Sequence, residues 1–187
     1  MIDILSSFGL SAASGLNAYL PLLIVGLLGR YTDVIQLGEP WNALENGWVL
    51  LVLVVLLAVE MTADKIPAVD TVNDAIQTIV RPTAGAVLFA ASNNVVTEIS
   101  PALALTLGLL MAGSVHAAKA TVRPAVTATT GGLGNPVVSV AEDVVAGGLT
   151  LVSLLMPVMA AVLMLVVIIV LARLFRGLLR RRQPLTS

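Results

Sequence analysis

The chain has 187 residues, 58% of them hydrophobic and 11% charged, against about 45–50% and about 25% in an average soluble domain. A soluble fold of this size cannot hide so much apolar surface, so lipid is the expected solvent for much of it, and a formal net charge of −1 argues against a nucleic-acid partner. There is no cysteine, which excludes disulfides and thiolate chemistry and leaves the redox compartment undetermined.

The N-terminus, MIDILSSFGL, has no Lys or Arg ahead of its apolar run and reads as the start of a first span rather than a cleavable signal peptide. A transmembrane helix needs about 20 mostly apolar residues, and the uncharged run Phe8 to Gly29 qualifies. Asn17, Tyr19 and Pro21 put polar groups and a kink into its middle, and Ser7, Ser11 and Gly15 form a small-residue face suited to close helix contact. Residues 30–46 read as a polar loop with Trp41 as an interfacial anchor. Gly47 to Val59 is uncharged but short, so Glu60 and Asp64 fall on its last turns. Pro82 to Thr97 is also short, Ile99 to Ala118 is long enough, and Val144 to Ala172 exceeds the bilayer and contains Pro157. Arg173, Arg176 and Arg180 to Arg182 follow directly, and the positive-inside rule puts this basic tail, 173–187, in the cytoplasm. The reading is an all-α integral membrane protein, one polytopic domain over 1–187 with five or six membrane-embedded helical segments, multi-pass in the cell (inner) membrane.

Helix breakers recur beside charge, at Lys65-Ile66-Pro67, Arg81-Pro82, Arg123-Pro124 and Asn135-Pro136. Irregular backbone at membrane depth survives only where protein or a water-filled cavity covers it. Segments 63–82 and 119–143 are therefore either discontinuous, re-entrant helices of the transporter kind or ordinary amphipathic surface connections. Val-Arg-Pro occurs at 80–82 and 122–124, and PAVDTVND (67–74) aligns on PVVSVAED (136–143). The two matches imply different offsets, so an internal repeat and chance similarity both stay open.

Ionisable groups concentrate in the same two segments. Glu60 and Asp64 are four apart and share a helix face, as do Asp70 and Asp74. Like charges at that spacing repel unless a proton, a cation or a basic side chain lies between them, and Lys65 and Arg81 are the local candidates. In the second segment Lys119 and Arg123 share a face, His116 stands one turn earlier, and Asn135, Ser139, Glu142 and Asp143 follow the turn TTGGLGN. Asn135 suits a helix N-cap. Asp70 fits a headgroup-level surface position, whereas Glu60, directly after an unbroken apolar run, fits a buried one. Pairing these acids and bases neutralises most charges and leaves two carboxylates over, which suits a cation or proton pathway and equally a buried ion-pair network.

His116 is the lone histidine, and no HExxH, P-loop or GxSxG motif is present. Oxygen ligands still suit a hard cation such as Mg²⁺, so a metal stays an open question. No cofactor is expected. The expected partners are the lipid bilayer and a small solute or ion, with a homo-oligomer left open.

ASGLNAYLPLL around Asn17, the E…DKIPAVD…ND segment, Arg81-Pro82 followed by TAGA, and the late NPVVS…ED block together resemble a family of small bacterial integral-membrane proteins, the domain of unknown function numbered forty-one twenty-six. The resemblance covers most of the chain and implies membrane location and helical architecture, with no activity attached. It highlights Ser14, Gly15, Asn17, Glu60, Asp64, Lys65, Pro67, Asp70, Asp74, Arg81, Pro82, Asn135, Pro136, Ser139, Glu142 and Asp143. The leading functional expectation is a small transporter or channel-like carrier with an intramembrane polar site for a cationic or proton-coupled solute. The alternative is a structural or assembly protein with a buried ion-pair network. An intramembrane lipid-acting enzyme is the weakest reading, because no nucleophile–base pair is visible.

Overall fold

The computed structural model describes residues 2–64, 66–92 and 99–159, with isolated positions to 173; for 2, 3, 67, 68, 70 and 71 it describes the backbone alone. Among the described residues there is no β-strand. The α-helices run in the order α1 (Ile2–Leu16), α2 (Tyr19–Tyr31), α3 (Gly47–Ala63), α4 (Pro67–Ala91), α5 (Pro101–Thr130) and α6 (Asn135–Leu155), with a 3-10 turn at Trp41–Glu45. Lys65 and the arginines at 176 and 180–182 lie outside the described residues.

Contacts fix the relative directions. Ser11 Oγ donates to the Gly85 carbonyl at 2.8 Å, and Phe8 meets Phe89 edge-on at a centroid distance of 4.9 Å, so α1 and α4 run antiparallel. Gly85 meets Gly108 while Thr78 meets His116, so α4 and α5 are antiparallel as well. At that crossing the backbones touch: a Cβ at Gly108 would strike the Gly85 carbonyl, Phe89 Cβ at 2.6 Å and Ala86 Cα at 2.8 Å. α5 ends at Gly131, whose φ of 62° is the left-handed cap that glycine adopts without strain, and its N–H bonds Thr127 O. α6 then returns along α1. α2 and α3 flank this bundle, with Arg30 Nη1 donating to the Glu45 carbonyl at 2.7 Å near the shared end of the two helices.

Of the predicted breaker sites, Pro67 and Asn135-Pro136 do stand at helix starts, but Pro82 and Pro124 interrupt nothing. α4 runs unbroken through Pro82 and α5 through Pro124. Each proline removes one backbone hydrogen bond, but the glycine crossing and a side-chain network around Arg81 and Arg123 hold both helices on either side of it. A further break falls inside the predicted first span, between Leu16 and Tyr19. Asn17 Oδ1 accepts from the N–H groups of Tyr19 at 3.1 Å and Leu20 at 2.9 Å, capping α2. A continuous helix would send the Leu20 N–H to the Leu16 carbonyl, and Pro21 has no N–H to offer Asn17. α1 and α2 therefore become two arms, about 22 Å and about 20 Å long at 1.5 Å per residue. The last predicted span is interrupted at Met156, where Pro157 disfavours helical backbone, and residues 157–159 are helical again.

The exterior is apolar, and the interior combines an apolar core with a buried charged cluster. Ile79 is 74% exposed and Val144 69%, whereas Arg81 and Glu60 are 0% and 1%. Apolar side chains at 69, 72, 76 and 79 line the outside of α4, and others line the outside of α3, α5 and α6. α5 and α6 are long and apolar enough to cross a membrane, and most of each faces outward. α1, α2 and α3 are shorter apolar helices, so five or six complete spans are more than the helix lengths alone provide.

Candidate functional site

The predicted polar segments meet at one place, where the last turns of α1 and α3 reach the middle of α4 and α5. Glu60, on the last turn of α3, accepts from Arg81 on α4 through one oxygen: Nη2 at 2.9 Å and Nε at 3.3 Å from Oε1. Asp64, the residue closing α3, sits between three cations, with Arg123 Nη2 at 3.2 Å, Lys119 Nζ at 3.5 Å and Arg81 Nη2 at 3.7 Å from Oδ2. Its other oxygen accepts from Asn73 Nδ2 at 2.7 Å. Glu142 on α6 pairs with Arg123 at 2.7 Å and Lys119 at 3.0 Å. Asp74 is looser, 3.8 Å from Arg81 Nη1 and partly exposed. The charges of α4 and α5 face inward because Gln77 and Arg81 are one turn apart, as are Lys119 and Arg123, while the apolar residues between them face out.

The helix break supplies the rest of the site. Lys119 Nζ donates to the freed Leu16 carbonyl at 3.2 Å, placing a cation at the negative end of α1. Asn17 Nδ2 donates to Asp143 Oδ1 at 2.9 Å, tying the break to α6. Asn17 thus serves two helices at once. Asn17→Ala is expected to cost about 1 kcal/mol as a lost cap and about 1.5–3 kcal/mol more for the lost buried hydrogen bond to the Asp143 carboxylate. Denaturant unfolding in detergent micelles checks this; a loss below about 1 kcal/mol means the break is held by other contacts.

His116 completes a directed chain. Arg81 Nη1 can only donate, so the His116 Nδ1 at 3.1 Å accepts. The proton then sits on Nε2, which donates to Thr78 Oγ1 at 3.1 Å, and that hydroxyl donates to the Asp74 carbonyl at 2.8 Å.

Of the predicted site residues, Asn17, Glu60, Asp64, Asp74, Arg81, His116, Lys119, Arg123, Glu142 and Asp143 belong to this connected region. Ser139 is buried on the same face of α6, and its Oγ has no hydrogen-bond partner. Asn135 does not cap α6; it is the first helical residue, and its Oδ1 accepts from Thr127 Oγ1 at 3.1 Å. Asp70 occupies the first turns of α4, and its side chain, like all of Lys65, is outside what the structure describes. Asn73, Gln77 and Thr78 were missed. Polar residues at 70, 73–74, 77 and 81 recur at helical spacing on one face of α4, a signal obscured by reading this stretch as broken. Among the described residues no group of three or more His, Asp or Glu side chains is placed to hold a metal ion.

An all-helical protein with an apolar exterior and a buried, hydrogen-bonded charged cluster is the class that fold and site define. The chain belongs to the family described as Domain of unknown function (DUF4126), whose sequence profile matches residues 4–177. No curated protein and no solved structure matches it.

Proposed function

We propose that the protein is a multi-pass membrane carrier for a proton or a proton-coupled cationic solute, with the cluster around Glu60, Asp64, Arg81, Lys119, Arg123 and Glu142 as its working site. The observation that carries this reading is the charge balance of the cluster. Its ion pairs, among the described side chains, join four carboxylates to three cations. An excess of carboxylates among these described side chains, beneath an apolar exterior, favours a proton or a cation. Ionisable groups held inside a membrane domain mark ion and proton pathways. The arms α1 and α2 fall short of the roughly 30 Å hydrocarbon core. In this reading they enter and leave on one face as a re-entrant hairpin, with Asn17 at its tip, as helix ends do at the solute sites of transporters.

A second reading has its own support. Every cation of the cluster is shared by at least two carboxylates, which suits a structural network joining α3, α4, α5 and α6. Flux separates the two. In liposomes under an imposed pH gradient, the wild type should carry protons and Glu60→Gln should abolish the pH-dependent flux while keeping the fold. Flux that is nil in the wild type, in a bilayer where the protein is folded, removes the carrier reading and leaves the network.

The arginine-rich tail sets orientation in this reading. A reporter fused after Arg182 should be cytoplasmic; an external readout there reverses the whole topology.

A further inference from the structure

Buried oxygens without a hydrogen-bond donor lie beside the ion pairs, Glu60 Oε2 and Gln77 Oε1 among them. Arg81 binds Glu60 through Oε1 alone, and Glu60 Oε2 has no hydrogen-bond partner. Gln77, one turn before Arg81 on the same face of α4, is 1% exposed, and its Oε1 also lacks a partner. The Tyr19 hydroxyl, at the start of α2, faces the Gln77 side chain and feels the Glu60 charge. Buried acceptors without a donor are uncommon in folded proteins, and an added proton is one way to complete them.

We propose that Glu60 Oε2 is the protonation site of the cluster, with Gln77 as the acceptor that orients the proton and half-buried Tyr19 as its neighbour toward α2. This rests on the carrier reading and gives its cation an address. A proton is favoured over an alkali ion by what surrounds Glu60. Arg81 on α4 bonds it directly, Lys119 on α5 and Asp64 at the end of α3 act on it electrostatically, and Tyr19 on α2 stands beside it. A metal ion would set a full positive charge against the Arg81 guanidinium, whereas a proton cancels the carboxylate charge in place. The carbonyl oxygen of the protonated acid still accepts both Arg81 bonds. Protonation also leaves three carboxylates facing three cations in the described ion pairs. No bond other than O–H forms or breaks.

The competing arrangement turns the Gln77 amide over, so that its nitrogen serves an ionised Glu60. Infrared difference spectroscopy of the full chain in lipid nanodiscs, recorded across a pH titration, separates them. The expected result is a carbonyl-stretch band of a protonated carboxylic acid that titrates in the wild type and is missing in Glu60→Gln. In Gln77→Leu, which leaves the ion pairs intact, the band should persist at a shifted frequency. No such band in the folded wild type, or a band unmoved in Gln77→Leu and retained in Glu60→Gln, overturns the assignment. If Glu60→Gln fails to fold, the Gln77→Leu shift decides alone. A titrating Glu60 band without flux in liposomes keeps the proton site and removes the carrier; flux retained in Glu60→Gln keeps the carrier and removes the site.

Discussion

Arg81→Leu should be the most damaging single change to the charged interior, lowering unfolding free energy by about 3–5 kcal/mol, the usual cost of breaking a buried pair from one side. Arg81 is fully buried and holds Glu60 by two hydrogen bonds, stands 3.7 Å from Asp64 and 3.8 Å from Asp74, and donates to His116. Removing it leaves Glu60 without its cation and turns His116 Nδ1 into an unserved acceptor. Replacing both partners by apolar residues removes the desolvation cost together with the attraction, so Arg81→Leu combined with Glu60→Leu should recover most of the loss. Denaturant unfolding of the two single variants and the double variant in micelles gives the coupling. A double variant as unstable as the sum of the singles would show that the two side chains do not act as a desolvated pair.

Gly108→Leu should cost about 3 kcal/mol or more, the upper range for overpacking, because what it meets is backbone. The Gly85 carbonyl, Phe89 Cβ and Ala86 Cα cannot rotate away as a flexible side chain would. Gly113 is the internal control. It lies on the same helix, and an added Cβ would meet only Pro82 Cγ at 3.7 Å and Cβ at 3.9 Å, ordinary contact distances. Gly113→Ala should therefore gain up to about 1 kcal/mol from helix propensity. Equal effects at the two glycines would mean that α4 and α5 do not cross at Gly108.

The site was more legible in the sequence than the path of the chain through it. Charges in so apolar a chain are conspicuous, and Glu60, Asp64, Arg81, Lys119 and Arg123 stood out for that reason. Their pairing was not readable, since Asp64 reaches Lys119 and Arg123 across more than fifty residues. Pro67 and Asn135-Pro136 were read correctly as helix boundaries, but Pro82 and Pro124 were given too much weight and Asn17 too little. Pro82 and Pro124 each delete one hydrogen bond from helices that packing holds in place. Asn17 competes actively for the N–H groups of Tyr19 and Leu20, and Pro21 withholds the donor that would close the next turn. The conflict between those neighbours was visible at Asn17 to Pro21, but whether it bends or ends a helix depends on Lys119 receiving the freed carbonyl. Asn135 shows the converse: a residue type suited to capping that finds Thr127 instead.

Lys119 and Arg123 lie one helical turn apart, and both touch both Asp64 and Glu142. A slide of α5 by one turn, about 5.4 Å, would carry one cation into the other's place before the same carboxylates. The charges therefore behave like a scale with two identical marks: they bind α5 firmly and say little about where along its axis it stops. Unique marks are the His116 bonds to Arg81 and Thr78 and, at the opposite end of the contact, a glycine crossing. Small residues recur on α5 at Ala104, Gly108 and Ala112, yet only glycine lets the Gly85 carbonyl come so close. Position along the helix is thus read out by these marks, the absence of a methyl group among them, while the charges supply grip. A variant that relaxed the glycine contact would loosen the stop before it loosened the hold.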